Sequence, residues 1–261
     1  MRNLDKYKGV IPAFYACYDK EGNISPEGVQ ALTKYFIEKG VKGVYVNGSS
    51  GECIYQSVED KKIVLENVMK AAEGKLTVIA HVACNNTKDS QELARHAESL
   101  GVDAIAAIPP IYFHLPEYAI AQYWNDISAA APNTDFVIYN IPQLAGVALT
   151  MNLFAEMRKN PRVIGVKNSS MPVQDIQMFK AVAGEEYVIF NGPDEQFMSG
   201  RVIGAEGAIG GTYGVIKAML KINEGLELGG VREPLPALIE SDMAIVEEAA
   251  KMVRDTKEKF L

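Results

Sequence analysis

The stretch Arg162-Val163-Ile164-Gly165-Val166-Lys167 sets the pattern of the whole chain. A short apolar run that is rich in β-branched residues and bounded by polar ones is typical of a buried strand. Seven comparable runs occur elsewhere in the chain, and each run is followed by a longer amphipathic stretch. The eight predicted strands cover residues 10–14, 43–46, 76–80, 104–108, 136–139, 162–167, 187–190 and 206–210.

The amphipathic stretches have the periodicity of helices that bury one face. The best-marked one starts at Pro26, where Ser25 provides an N-cap and the proline occupies the first helical position. The predicted helices cover residues 26–38, 58–72, 88–100, 116–130, 152–159, 173–182, 195–203 and 215–227, with a last one over about 242–260.

Eight βα units in series, with no linker between them, predict an α/β fold of the (β/α)8 TIM-barrel type. An open doubly wound sheet is the alternative. That fold usually has fewer strands and a glycine-rich dinucleotide turn after the first strand, whereas here Ala16-Cys17-Tyr18-Asp19 follows it. We therefore expect a barrel over residues 1–214, through strand eight, and a C-terminal helical segment over 215–261 that packs on it.

The composition limits the kinds of partner, location and metal site that we expect for the chain. A net charge of -7 over 261 residues argues against a nucleic-acid or anionic-membrane surface. No apolar stretch is long enough to span a bilayer, and the first residues contain no apolar signal core, so a cytoplasmic location is expected. The three cysteines and three histidines are scattered, without the close spacing of a metal site. We expect no metal and no membrane or nucleic-acid partner.

Lys167 lies at the carboxyl end of the sixth predicted strand, which is where barrels of this type carry their chemistry. Burial at this position would lower the pKa of the amine and leave it free to form an imine with a carbonyl substrate. The alternative is a lysine that simply ends the strand and extends its amine into water.

Other polar groups follow neighbouring strands at the same rim. Tyr139 ends strand five, where a phenol beside an amine can carry protons, or can simply pack its ring. The turn at residues 48–51 offers backbone N–H groups and two hydroxyls that suit a carboxylate, or is only a tight loop. Asp194 and Glu195 are read mainly as a helix cap and first-turn carboxylate, although they could also bind hydroxyl groups.

At these residues the chain resembles the N-acetylneuraminate lyase and dihydrodipicolinate synthase family of class I aldolases. Four segments carry the resemblance, in the family's order and on the expected strands: Gly48-Ser49-Ser50-Gly51-Glu52, Tyr139-Asn140-Ile141-Pro142, Gly165-Val166-Lys167-Asn168-Ser169-Ser170 and Asn191-Gly192-Pro193-Asp194-Glu195. The synthases typically carry an arginine two residues after the proline at 142. Here Leu144 occupies that position and begins Leu-Ala-Gly-Val, as in the sialic acid lyase branch.

The resemblance implies a reversible aldol cleavage of N-acetylneuraminate to pyruvate and N-acetylmannosamine, without a cofactor. Lys167 would form the imine with the C2 carbonyl, and Tyr139 would take the proton from the C4 hydroxyl. Carboxylate and hydroxyl-tail contacts are implied for Ser49, Ser50, Ser169, Gly192, Asp194 and Glu195. Tyr112 matches a tyrosine that reaches across a subunit contact, and the family commonly forms homotetramers.

Two features depart from the family. Gly211 stands where some lyases have a serine, which removes one hydroxyl contact to the substrate tail. Family members also continue after the Gly-Thr-Tyr segment with about two further helices, whereas here residue 215 follows almost directly. Either the segment from residue 215 takes the eighth outer-helix position, or that side of the barrel is thinly covered. A thin cover would expose apolar surface.

Three alternatives to N-acetylneuraminate cleavage remain open at this point. The chain could act on another 2-keto-3-deoxy acid, or carry out a condensation like that of the synthases. A shortened chain could also bind pyruvate or sialic acid without turning it over.

Overall fold

The computed structural model describes residues 3–211 and 214–260. Eight parallel strands form one sheet in the order β1-β8-β7-β6-β5-β4-β3-β2. The strands are β1 Gly9–Val10, β2 Gly43–Val46, β3 Thr77–His81, β4 Ala104–Ala107, β5 Asp135–Asn140, β6 Val163–Asn168, β7 Val188–Asn191 and β8 Gly207–Ala208.

Helices follow the strands on the outside of the sheet. They are α1 Pro26–Glu38, α2 Val58–Ala72, α3 Thr87–Ser99, α4 Glu117–Ala130, α5 Pro142–Ala145, α6 Met151–Met157, α7 Gln174–Ala183, α8 Phe197–Val202, α9 Gly214–Glu224 and α10 Glu240–Phe260. The predicted barrel is confirmed, and the Ser25 side chain caps α1 by accepting a hydrogen bond from the N–H of Gly28 at 3.1 Å. The short helix α5 was not predicted, because four residues are too few to show a periodicity.

The sheet closes through the residues that follow β1. The N–H of Tyr45 donates to the carbonyl of Pro12 at 2.9 Å, and the N–H of Phe14 donates to the carbonyl of Tyr45 at 2.8 Å. The N–H of Ile11 bonds to Ala208 on the other side at 2.9 Å. The first strand was predicted over residues 10–14, but its regular part is only two residues long. Pro12 interrupts the ladder because proline has no N–H to donate.

The core has two layers. One lies between the strands and the helices and includes Trp124, Phe136 and Phe154. The other fills the barrel interior and includes Tyr45, Tyr139 and Phe190. β6 and β7 approach so closely that a Cβ on Gly165 would lie 2.0 Å from the carbonyl oxygen of Val188. A side chain at residue 165 would push β6 and β7 apart, so glycine is needed in the strand that carries Lys167.

One side of the barrel carries exposed apolar side chains. On α7 and α8, Met178, Val182, Met198 and Val202 are 40%, 44%, 75% and 84% exposed. The last ten residues of α10, 251–260, are all exposed. Among the described helices, none is both long and apolar enough to cross a membrane.

Candidate active site

Lys167 lies inside the carboxyl end of the barrel. It is only 4% exposed, and it pairs in register with Tyr139 on β5 and Phe190 on β7. Its Nζ lies 3.8 Å from the centroid of the Tyr139 ring and 4.2 Å from that of the Tyr45 ring. The amine is therefore enclosed by two aromatic faces and does not extend to water as a strand-end lysine would.

Burial controls the charge of this amine. Desolvation lowers the pKa of Lys167 to about 7, and the Cys53 and Asp194 side chains oppose this shift to a smaller extent. The hydrogen bonds and ion pairs found among the described residues include none to its Nζ. A substantial fraction of the amine is therefore neutral and nucleophilic near pH 7.

Tyr139 stands beside the amine and connects it to the turn after β2. Its side chain is 3% exposed, and its hydroxyl lies 3.4 Å from the Oγ of Ser49. Burial raises the pKa of Tyr139, while hydrogen bonds from Ser49 and Ser169 act in the opposite direction. The phenol therefore stays protonated at neutral pH, and it can relay a proton between a bound molecule and the Ser49 hydroxyl.

The turn at residues 48–52 is built around one helical turn, the 3-10 segment Ser49–Gly51. Gly48 packs directly on the Tyr45 ring, and a Cβ at this position would lie 2.6 Å from the ring. Ser50 is buried and donates its hydroxyl to the carbonyl of Gly211 at 3.2 Å. The structure thus holds Ser49 toward Tyr139 and ties Ser50 to the end of strand eight.

A second set of polar residues lies in the segments that follow β6 and β7. The N–H of Gly192 donates to the carbonyl of Asn168 at 2.8 Å, and a Cβ on Gly192 would lie 1.9 Å from the Oγ of Ser169. Asp194 and Glu195 begin a 3-10 turn at the surface, and both are exposed. Because a Cβ on Gly210 would meet the Asp194 carboxylate at 1.7 Å, Asp194 lies against the end of β8.

Tyr112 is separate from this group. It is 86% exposed, has a positive φ of 82° and stacks edge-on against Phe113 with ring centroids 4.9 Å apart. Within one chain, Tyr112 therefore makes no described contact with Lys167 or Tyr139.

Two buried residues of the site were not singled out from the sequence. Tyr45 forms one wall around Lys167, and His81 lies next to both tyrosines, with ring centroids 6.1 and 6.0 Å away. Burial lowers the pKa of His81 to about 3, so its ring is neutral. Its Nδ1 donates to the carbonyl of Asn47 at 2.9 Å, which steadies the start of the 48–52 turn. Their only signal in the sequence was an aromatic or polar side chain in an otherwise apolar strand.

A cavity of about 600 Å3 opens beside Ser49. Cys53, Lys61 and Cys84 belong to its wall, whereas Lys167 and Tyr139 do not. The cavity adjoins the Tyr139 hydroxyl through Ser49, whose Oγ lies 3.4 Å from it. Over the described residues, no three His, Cys, Asp or Glu side chains group in a way that could hold a metal ion.

A parallel barrel that encloses a lysine of lowered pKa beside a phenol and a hydroxyl-rich turn defines an enzyme of the imine-forming class. The chain belongs to the dihydrodipicolinate synthetase family, whose profile matches residues 6–235.

Two relatives and one solved structure are similar to this chain over most or all of its length. The N-acetylneuraminate lyase of Mediterraneibacter gnavus is 77% identical over 305 positions that cover 100% of this chain and 97% of the relative. Since this chain has 261 residues, the relative carries additional residues within the aligned region. N-acetylneuraminate lyase 2 of Escherichia coli is 37% identical over 213 positions, which cover 81% of this chain and 69% of that protein. A solved structure of the Ruminococcus gnavus sialic acid aldolase, a catalytic lysine mutant, superimposes with a TM-score of 0.99 at 76% identity and covers 100% of both chains.

Proposed function

We propose that this chain is a carbon–carbon lyase that reversibly cleaves N-acetylneuraminate to pyruvate and N-acetylmannosamine through an imine on Lys167. The observation that carries the proposal is the enclosed amine, whose pKa of about 7 leaves it reactive at neutral pH, next to the Tyr139 phenol. The relatives named N-acetylneuraminate lyase support the choice of substrate.

The first step forms the imine. The neutral Lys167 Nζ attacks the C2 carbonyl carbon of the open-chain sugar acid, and a C–N bond forms. The carbonyl oxygen takes up protons and leaves as water. The carboxylate of the substrate binds the Ser49 and Ser50 hydroxyls and the N–H groups of their turn, because oriented donors of this kind favour an anion. To donate to the carboxylate, the Ser50 hydroxyl turns away from the Gly211 carbonyl.

The second step breaks the C3–C4 bond. The C4 hydroxyl gives its proton to the Tyr139 oxygen, and the electron pair of the bond moves to the protonated imine nitrogen to give an enamine. Because the phenol is itself protonated, it passes its own proton to the Ser49 Oγ as it accepts the new one, and the Ser49 hydroxyl gives its proton to the substrate carboxylate bound beside it. The same relay in reverse returns this proton to C3. Protonation of C3 and hydrolysis of the imine then release pyruvate and restore the amine. The imine nitrogen serves as the electron sink, so the reaction needs no cofactor.

The remaining contacts go to the hydroxyl tail of the substrate. Ser169 and Gly192 lie against each other in the loops after β6 and β7, and Asp194 and Glu195 follow Gly192 closely in the chain. Gly211 leaves this side one hydroxyl short of the lyases that carry a serine. Tyr112 is proposed to act from a neighbouring subunit, since within its own chain it is exposed and makes no described contact with the amine.

The proposal also covers the oligomeric state, the cellular location and the partners of the enzyme. The substrate is a small 2-keto acid, and the chain forms a homo-oligomer, a tetramer by family resemblance, in the cytoplasm. It takes neither a nucleic-acid nor a membrane partner. Residues 1–214 form the barrel, and 215–261 form a helical segment that packs on it.

Pyruvate release from N-acetylneuraminate, followed with a coupled lactate dehydrogenase, tests the proposal. We expect turnover by the wild type and none by Lys167→Met, with Lys221→Met on the exposed face of α9 as the matched control. Faster release from another 2-keto-3-deoxy acid in a panel would change the substrate. Calorimetric binding of pyruvate without any turnover would instead indicate a binding protein.

A further inference from the structure

The turn proposed to hold the substrate carboxylate ends in a buried carboxylate of its own. Glu52 is 4% exposed and has a positive φ of 56°, a backbone conformation that residues other than glycine rarely adopt. Its N–H donates to the carbonyl of Ser49 at 2.9 Å, so its backbone closes the helical turn that carries Ser49 and Ser50. The position of the turn therefore depends on what holds Glu52.

The Glu52 carboxylate is held mainly from the C-terminal part of the chain. Lys217 on α9 pairs with its Oε1 at 2.9 Å, and the two side chains are only 5% and 2% exposed. The N–H of Arg232 donates to its Oε2 at 2.8 Å. The Tyr18 hydroxyl, from the loop after β1, donates to the same oxygen at 2.9 Å.

Lys217 also closes this network on its own side. Its Nζ donates to the carbonyl of Gly230 at 2.6 Å and lies 4.9 Å from the centroid of the Tyr18 ring. A charge this deeply buried is tolerated only when it is paired and hydrogen-bonded, and removing one partner leaves the other uncompensated. The ion pair is therefore the main link between α9 and the turn at residues 48–52.

We propose that Lys217 is a positioning residue for the carboxylate-binding turn, so that the segment beyond the barrel takes part in substrate binding. Loss of the Lys217 ammonium would release the Glu52 carboxylate, which would turn toward water and relax the left-handed backbone at this position. The Ser49 and Ser50 donors would then move away from the carboxylate of a substrate attached to Lys167. This inference rests on the proposed function.

The test compares Lys217→Met with Lys221→Met in the full chain. Lys221 is one turn further along α9, and its ion pair with Glu227 is exposed, with side chains 62% and 69% exposed. We expect Lys217→Met to raise the KM for N-acetylneuraminate and the inhibition constant of pyruvate at least tenfold, and to change kcat less than threefold. Lys221→Met should leave all three within twofold.

A double substitution separates positioning from general damage. Glu52→Gln with Lys217→Met removes both charges, so no uncompensated carboxylate remains to pull the turn away. Its inhibition constant for pyruvate should lie closer to that of the wild type than the constant of Lys217→Met does. The inference would be overturned if the double variant showed the sum of the effects of the two single substitutions on the inhibition constant. It would also be overturned if Lys217→Met melted at a lower temperature with unchanged KM and inhibition constant.

Two further measurements cover a Lys217→Met variant that does not fold and separate this inference from the proposed function. If Lys217→Met does not fold, Tyr18→Phe removes one neutral donor to Glu52 and should raise both constants two- to fivefold; unchanged constants would contradict positioning. Reductive trapping of pyruvate on the wild type distinguishes the two proposals. A wild type that forms no adduct refutes the proposed function, whereas a wild type that traps pyruvate with the same concentration dependence as Lys217→Met refutes only the role of Lys217.

Discussion

Changing the pH tests the enclosed Lys167 amine without changing the protein. Burial lowers its pKa from 10.5 to about 7, which corresponds to about 5 kcal/mol against the charged form. About half of the amine is then neutral at pH 7, against about one molecule in 3,000 for an ordinary lysine. The rate of imine formation with pyruvate should therefore rise about tenfold for each pH unit below 7 and level off above it.

The assay is irreversible trapping of the imine by cyanoborohydride at subsaturating pyruvate, followed as loss of activity between pH 5.5 and 9. Neither His81 nor Tyr139 titrates in this range. Burial lowers the pKa of His81 to about 3, and it raises the pKa of Tyr139 above its usual value of 10.0. A single inflection near pH 7 therefore reports Lys167. A rate that still climbs tenfold per pH unit between 8 and 9 would show that the amine is solvated and would refute the argument from burial.

Three further predictions follow from the geometry of the site and the surface. Tyr139→Phe should lower kcat by about 10²–10⁴ in the coupled assay while pyruvate is still trapped on Lys167, and an unchanged kcat would remove the phenol from the proton path. Gly192→Ala places a Cβ 1.9 Å from the Ser169 Oγ, so the KM for N-acetylneuraminate should rise while the inhibition constant of pyruvate stays within twofold; equal increases would contradict a tail-binding role. Val202→Lys on the exposed face of α8 should change the free energy of unfolding by less than about 0.5 kcal/mol, measured in urea, and should reduce light scattering on heating. A larger loss would mean that this face is covered.

Much of the barrel could be read from local patterns. The structure has β2 at Gly43–Val46, α1 at Pro26–Glu38 and α2 at Val58–Ala72, all with the predicted bounds. Each of these segments has a strong period and a clear turn or cap beside it, so local information was sufficient. The last strand was predicted over residues 206–210, but its regular part is only two residues, Gly207–Ala208. Its length depends on pairing with distant strands and not on its own sequence.

Part of the surroundings of Lys167 could also be predicted from the sequence. The rule that parallel strands deliver their carboxyl ends to one rim brought Lys167, Tyr139 and the Ser49 turn together, and the structure places them in contact range. The Tyr45 wall was not found, because a tyrosine inside an apolar strand gives no sign of which face it occupies.

The link between Glu52 and Lys217 could not be predicted from local pattern at all. The two residues are 165 positions apart, and each looks like an ordinary charged residue at a loop or on a helix. Only the packing of α9 against the barrel shows that both are buried. For the same reason, the sequence could not show that Tyr112 is exposed and makes no described contact with the amine of its own chain.

Lys167 is proposed as the amine that forms the imine. Borohydride reduction in the presence of pyruvate, followed by proteolysis and peptide mass spectrometry, tests it most directly. We expect one modified site, a carboxyethyl group on the Nζ of Lys167. N-acetylmannosamine without pyruvate should give no such adduct. No adduct at Lys167, or equal labelling of lysines across the surface, would contradict it.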